Sequence, residues 1–103
     1  MQMQTSVGAA SKDLAGPVFR GGEIANAALE AIREDNPTKE IFVEDHGTYM
    51  RVEAQGGLVI RRKTLESILG RQVDLQEVQG NLSSFSGQIE TRDSEIRWYF
   101  KRS

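Results

Sequence analysis

Residues 39–57 read KEIFVEDHGTYMRVEAQGG, and the fold turns on how this stretch is read. Ile41 and Val43 alternate with Phe42, Glu44 and His46, and further on Met50, Val52 and Ala54 alternate with Tyr49, Arg51 and Glu53. A period of two sends successive side chains to opposite faces, so the pattern predicts two half-buried strands in a hairpin. The turn is expected within Asp45–Thr48, where Gly47 reaches positive φ at no steric cost. Gly56-Gly57 predicts a second turn, leading into a short third strand over LVIRR.

Toward the N-terminus, GGEIANAALEAIREDNP (residues 21–37) carries the other period. Ile24, Ala27, Ala28, Ala31 and Ile32 fall on one helical face, and Asn26, Glu30 and Arg33 on another. Pro37 disfavours the α region at Asn36 and predicts the stop. Before the helix, Val18 and Phe19 suit a short strand, with order expected from Gly16. Residues 1–15 are small and polar and read as a flexible tail, leaving 16–103 as a single domain.

Toward the C-terminus two short helices are expected. KTLESILG places Leu65, Ile68 and Leu69 on one face, with Thr64 as N-cap and Gly70 as stop. DLQEVQGNL opens with Asp74 and Glu77 in capping-box spacing, and Leu75, Val78 and Leu82 form its apolar stripe. Gly80 weakens that helix by roughly 1 kcal/mol against alanine, so an early end is expected. Ser83, Ser84 and Ser86 then read as helix-capping and turn residues. The chain closes with a hairpin through Asp93-Ser94. In EIRWYFKR, Ile96, Trp98 and Phe100 share one face, expected to be core, and this strand should be central.

The chain has 103 residues, enough for one modest core. Charged residues make up 27% and hydrophobic ones 38%, which is ordinary globular composition. A net charge of −2 with one basic cluster, Arg61-Arg62-Lys63, argues against nucleic acid. With no cysteine, disulfides, thiolate metal sites and thiol catalysis are excluded, and a cytoplasmic location is expected. No secretory signal pattern opens the chain, and no run approaches the roughly 18 apolar residues a membrane helix needs.

Catalytic chemistry fares no better. His46 is the one histidine, and Ser86 has Ser84 where a nucleophile elbow needs glycine. Glu44 and His46 share a strand face, but two ligands are too few for a metal site built from protein alone. Val43 stands three residues before His46, so the Glu-x-x-His motif of di-iron carboxylate sites is absent there. Gly21-Gly22 and Gly56-Gly57 form no phosphate cradle. The residues therefore point to a compact α+β module whose output is binding.

Four stretches in order, DNPTKEIFVED, IRRKTLESILGR, NLSSFSGQI and IRWYF, resemble the small effector (coupling) protein of bacterial soluble di-iron multicomponent monooxygenases. The likeness runs from about Gly16 to Phe100 and is nearest to the toluene and xylene monooxygenase branch. It implies two small antiparallel or mixed β-sheets forming a corner filled by two to three helices. It also implies a non-catalytic protein without metal or organic cofactor, which binds a multisubunit di-iron hydroxylase. There it would tune oxygen activation, turnover and regiospecificity, and compete with or influence a ferredoxin component. The candidate contact residues are Asn36, Pro37, Arg61, Lys63, Ser84 and Phe85. Phe85 has two readings, core and docking anchor. The alternative function is a stand-alone small-molecule binding module with an apolar pocket between sheet and helices.

Overall fold

The computed structural model describes residues 13–100. Seven strands and three helices follow in order: β1 (Leu14–Phe19), α1 (Glu23–Asp35), β2 (Phe42–Asp45), β3 (Met50–Gln55), β4 (Gly57–Arg61), α2 (Arg62–Leu69), α3 (Leu75–Gly80), β5 (Leu82–Ser86), β6 (Gln88–Thr91) and β7 (Glu95–Tyr99). The strands make a four-stranded sheet, β2-β3-β1-β5, and a three-stranded sheet, β4-β7-β6. Every pairing is antiparallel, so the α+β class holds and the mixed-sheet alternative falls away.

The β2–β3 hairpin forms as its alternation requires, with Val43 opposite Val52 and Asp45 opposite Met50. Its turn is closed by Asp45, whose Oδ1 accepts the Gly47 N–H at 2.9 Å, and Gly47 sits at φ 82°. Met50, Val52 and Ala54 are buried on one face. β7 lies in the middle of the smaller sheet, with Ile96 and Trp98 buried. Phe100, expected beside them, lies beyond the end of β7 and is 37% exposed. Its N–H donates to Gly56 O, and by then the strand has ended.

α1 buries Ala25, Ala27, Ala28, Ala31 and Ile32 and packs on β4 and α2. The small alanine stripe lets the helix lie close to the sheet. Asn36 leaves the helical region at φ −131°, as the following proline requires. One core joins both sheets and the helices, built on Trp98, Phe19, Ile32, Ile60, Leu65 and Ile96. Fully burying an aliphatic or aromatic side chain of this size stabilises by about 1.5–3 kcal/mol.

Three local expectations change. β1 begins at Leu14, and Ala15 is fully buried, so residues 14–15 belong to the fold and not to a tail; residues 1–12 lie outside the described residues. α2 starts at Arg62, before Thr64, with Arg61 as the N-cap residue. The stretch after α3 is a strand, not a helix end: β5 pairs with β1, with Phe85 opposite Pro17 and Ser84 opposite Val18. Asp74 does cap α3, accepting from Gln76 N–H at 2.9 Å, while Glu77 turns to Arg71 and leaves the capping box incomplete.

The chain passes between the sheets at Gly56-Gly57 and at Gly87. A Cβ on Gly57 would sit 2.0 Å from Trp98 O, and Gly57 also holds φ 108°. Glycine is therefore demanded there by both conformation and space.

Candidate docking surface

β4 is an edge strand, so one side of its backbone faces away from β7. In an antiparallel ladder alternate residues point their N–H and C=O outward. On β4 these are Gly57, Val59 and Arg61, and side chains from residues 35–39 meet them in turn. The Asn36 amide donates to Val59 O at 2.8 Å and to Ile32 O at 2.7 Å, and Asn36 Oδ1 accepts the Val59 N–H at 3.1 Å. The Arg61 N–H donates to Asp35 Oδ2 at 2.8 Å. Lys39 Nζ donates to Gly57 O and to Gln55 O. Asn36 thus takes the place of a neighbouring strand residue, and the segment closes the edge.

The same segment fixes the start of α2. Asp35 Oδ1 accepts the Thr64 hydroxyl at 2.7 Å while Oδ2 holds the Arg61 amide. Asp35, at the end of α1, thus holds the N–H of the N-cap residue and the Thr64 side chain, while the first helical N–H, that of Arg62, donates to Ser94 O at 2.9 Å. Arg61 and Lys63 stand exposed at this junction, with Pro37 exposed beside it. Arg61 Nε lies 4.0 Å from Glu95 Oε1 at the limit of an ion pair, and Arg62 is tied to Asp93 O at 2.9 Å. These cations sit at a helix N-terminus, where the peptide dipoles add positive potential. Three cations, Arg61, Arg62 and Lys63, therefore cluster here on an acidic chain, with Asp35, Glu66 and Glu95 as their neighbouring carboxylates.

The other two candidates lie on a different sheet. Ser84 and Phe85 are exposed on β5, the edge of the four-stranded sheet. The Phe85 ring is 42% exposed and stands outside the core cluster, so its core reading is set aside. The flanking serines fasten the strand: Ser83 Oγ donates to Val18 O at 3.3 Å, and Ser86 Oγ donates to Glu53 Oε2 at 2.6 Å. Ser86 stands opposite Gly16, where a Cβ would fall 2.0 Å from Val52 O, so the approach of the strands there demands glycine.

Asn36 needs correction. It is only 7% exposed, and its amide is occupied within the chain, so it offers a partner nothing directly. Sequence reasoning missed Asp35, Thr64 and Lys39 as parts of this junction. The available signal was an Asp-Asn pair at a helix end before proline. Phe100 is one more exposed aromatic, read from the sequence as core, while Tyr49 is exposed on the face it shares with Arg51 and Glu53 and stacks on His46 with ring centroids 4.6 Å apart. That stack places His46 in the β2–β3 turn, far along the chain from the β5 serines. Among the described residues no three His, Asp or Glu side chains group to hold a metal ion.

A largely apolar groove of about 440 Å³ lies over edge strand β2 and is open to solvent. Leu14 and Phe42 line it beside Glu44, Arg51 and Glu53. It is not the pocket between sheet and helices that a stand-alone binding module requires. No helix among the described residues is long and apolar enough to cross a membrane.

Comparison with known proteins gives the family and the fold. Residues 13–99 match the MmoB/DmpM family. The alkene monooxygenase effector subunit of Xanthobacter autotrophicus is 39% identical over 90 residues, covering 87% of this chain and 89% of its own. The stimulatory component DmpM of phenol 2-monooxygenase from Pseudomonas sp. is 36% identical over 78 residues, covering 76% and 84%. In a solved phenol hydroxylase–regulatory protein complex, one chain superposes with a TM-score of 0.74 at 32% identity, over 85% of this chain and 99% of that one. The methane monooxygenase regulatory protein B, at 20% identity and a TM-score of 0.65, shares the fold. These relatives are effector, stimulatory or regulatory components, not catalytic subunits. The chain belongs to the MmoB/DmpM family, the effector proteins of bacterial multicomponent monooxygenases.

Proposed function

We propose that this protein binds a multisubunit di-iron hydroxylase in the cytoplasm and tunes its oxygen activation, turnover and regiospecificity. It brings no metal or organic cofactor; the iron ligands belong to the partner. The observation that carries this reading is the likeness, over 85% of this chain and 99% of the other, to a chain in a phenol hydroxylase–regulatory protein complex. The oxidised substrate is an aromatic or alkene hydrocarbon, with toluene or xylene the branch favoured by the sequence motifs.

Tuning of this kind is a coupling free energy between docking surface and active site. The effector acts by binding one hydroxylase conformation more tightly than another. A factor of ten in that preference corresponds to about 1.4 kcal/mol. Arg61, Lys63 and Pro37 offer one contact region, and Phe85 with Ser84 offers a second. The exposed side chains of Arg61 and Lys63 suit an acidic partner surface, and an exposed aromatic is a suitable anchor. A ferredoxin that approaches the same hydroxylase face competes with the effector.

Native mass spectrometry of the purified hydroxylase with this chain tests the reading, together with the ratio of hydroxylated isomers formed. A complex and a shifted isomer ratio are expected. Absence of both overturns it.

A further inference from the structure

We propose that Asp35 is a positioning residue for partner recognition: it sets the placement of Arg61 and Lys63 without itself touching the partner. This inference rests on the docking reading above. Asp35 is half-buried, and both its carboxylate oxygens are used inside the chain, by the Arg61 N–H and by the Thr64 hydroxyl. No residue at the start of α2 caps that helix. The helix origin is therefore tied to the end of α1 through Asp35, and to the β6–β7 turn through Ser94 O, which accepts the Arg62 N–H. The neighbouring Asn36 locks the same reference at Val59, two residues earlier on β4. The backbone from which these two flexible cations project is thereby held in place, which lowers the ordering cost of binding.

The chemistry of the cap supplies a discriminating pair of variants. Asparagine at this position keeps an acceptor for the Arg61 N–H and turns a donor to the Thr64 hydroxyl, which is able to accept. Alanine keeps neither contact. A positioning role is thus rescued by Asp35→Asn and lost in Asp35→Ala. A direct electrostatic role toward the partner is lost in both.

The test uses the full chain and the purified hydroxylase. Amide hydrogen exchange in the free protein is measured first, then binding, for wild type, Asp35→Ala, Asp35→Asn and Arg61→Ala/Lys63→Ala, and for Asp35→Ala added to that double variant. Asp35→Ala is expected to speed exchange at Arg61 and to weaken binding roughly fivefold, the scale of a lost cap. Asp35→Asn is expected to stay near wild type. In the Arg61→Ala/Lys63→Ala background Asp35→Ala should add nothing further. An equal loss in Asp35→Asn, or a full additive loss in that background, overturns the proposal. If Arg61→Ala/Lys63→Ala binds like wild type, the docking role of this patch fails and the positioning role falls with it. If that variant is weakened and Asp35→Ala is not, positioning alone is overturned.

Discussion

β4 and β5 are both sheet edges, and the chain treats them in opposite ways. On β4 the outward backbone groups of Gly57, Val59 and Arg61 are occupied by Lys39, Asn36 and Asp35. On β5 the flanking serines turn back onto the sheet, and Phe85 is left 42% exposed. An edge strand is a template for unwanted pairing unless it is covered, charged or shortened. The β4 edge is covered by side chains from a single turn. The β5 edge is short, serine-rich and fastened from within. The first arrangement yields rigidity and orients charge; the second exposes an aromatic that a partner can cover.

The largest expected effect is at Asn36. Asn36→Ala removes the partners of a buried N–H and a buried C=O of Val59. At 1–3 kcal/mol for each unsatisfied buried group, a loss of about 3 kcal/mol is expected. Denaturant unfolding gives the number, and a change below about 1 kcal/mol would show that the edge does not depend on this amide. Ser86→Ala comes next. It breaks the bond to Glu53 and, since Ser86 is partly exposed, should cost about 1 kcal/mol. Exchange at β5 amides should rise while β4 stays protected; equal loosening of both edges would erase the distinction.

Phe85→Ala should change stability by less than about 1 kcal/mol, because the ring stands outside the core. Hydroxylase binding should nonetheless weaken about tenfold if the ring is an anchor. Unchanged melting with unchanged binding would make this aromatic incidental. Lys63→Ala should leave stability within about 0.5 kcal/mol. Its effect is expected on the association rate at low salt, shrinking as ionic strength rises. A deficit independent of salt contradicts an electrostatic role.

What was legible in the sequence was whatever repeats locally. Met50–Gln55 and Glu95–Tyr99 announce themselves by alternation, and α1 by its alanine stripe, because period alone sets which face is buried. β5 was hidden because LSSFS has the composition of a turn. Its strand character comes from pairing with β1, more than sixty residues earlier in the chain. Asn36 was misread for a similar reason: a helix end before proline is visible locally, but its partner Val59 is 23 residues away. Phe100 continued the alternation past the last strand residue, opposite Gly56 at the edge of the sheet, where no core is left to cover its ring. The expectation of a binding role rested on the lack of a recognisable catalytic motif in the sequence. The identity of the partner came from resemblance, not from any one motif.

The central claim is that this chain acts on a hydroxylase and not alone. Its most direct test is a titration of purified hydroxylase, supplied with its electron-transfer components, with increasing amounts of this protein. The account predicts that hydrocarbon turnover rises and saturates as a complex forms. A flat turnover across the titration, with no complex detected, would contradict it.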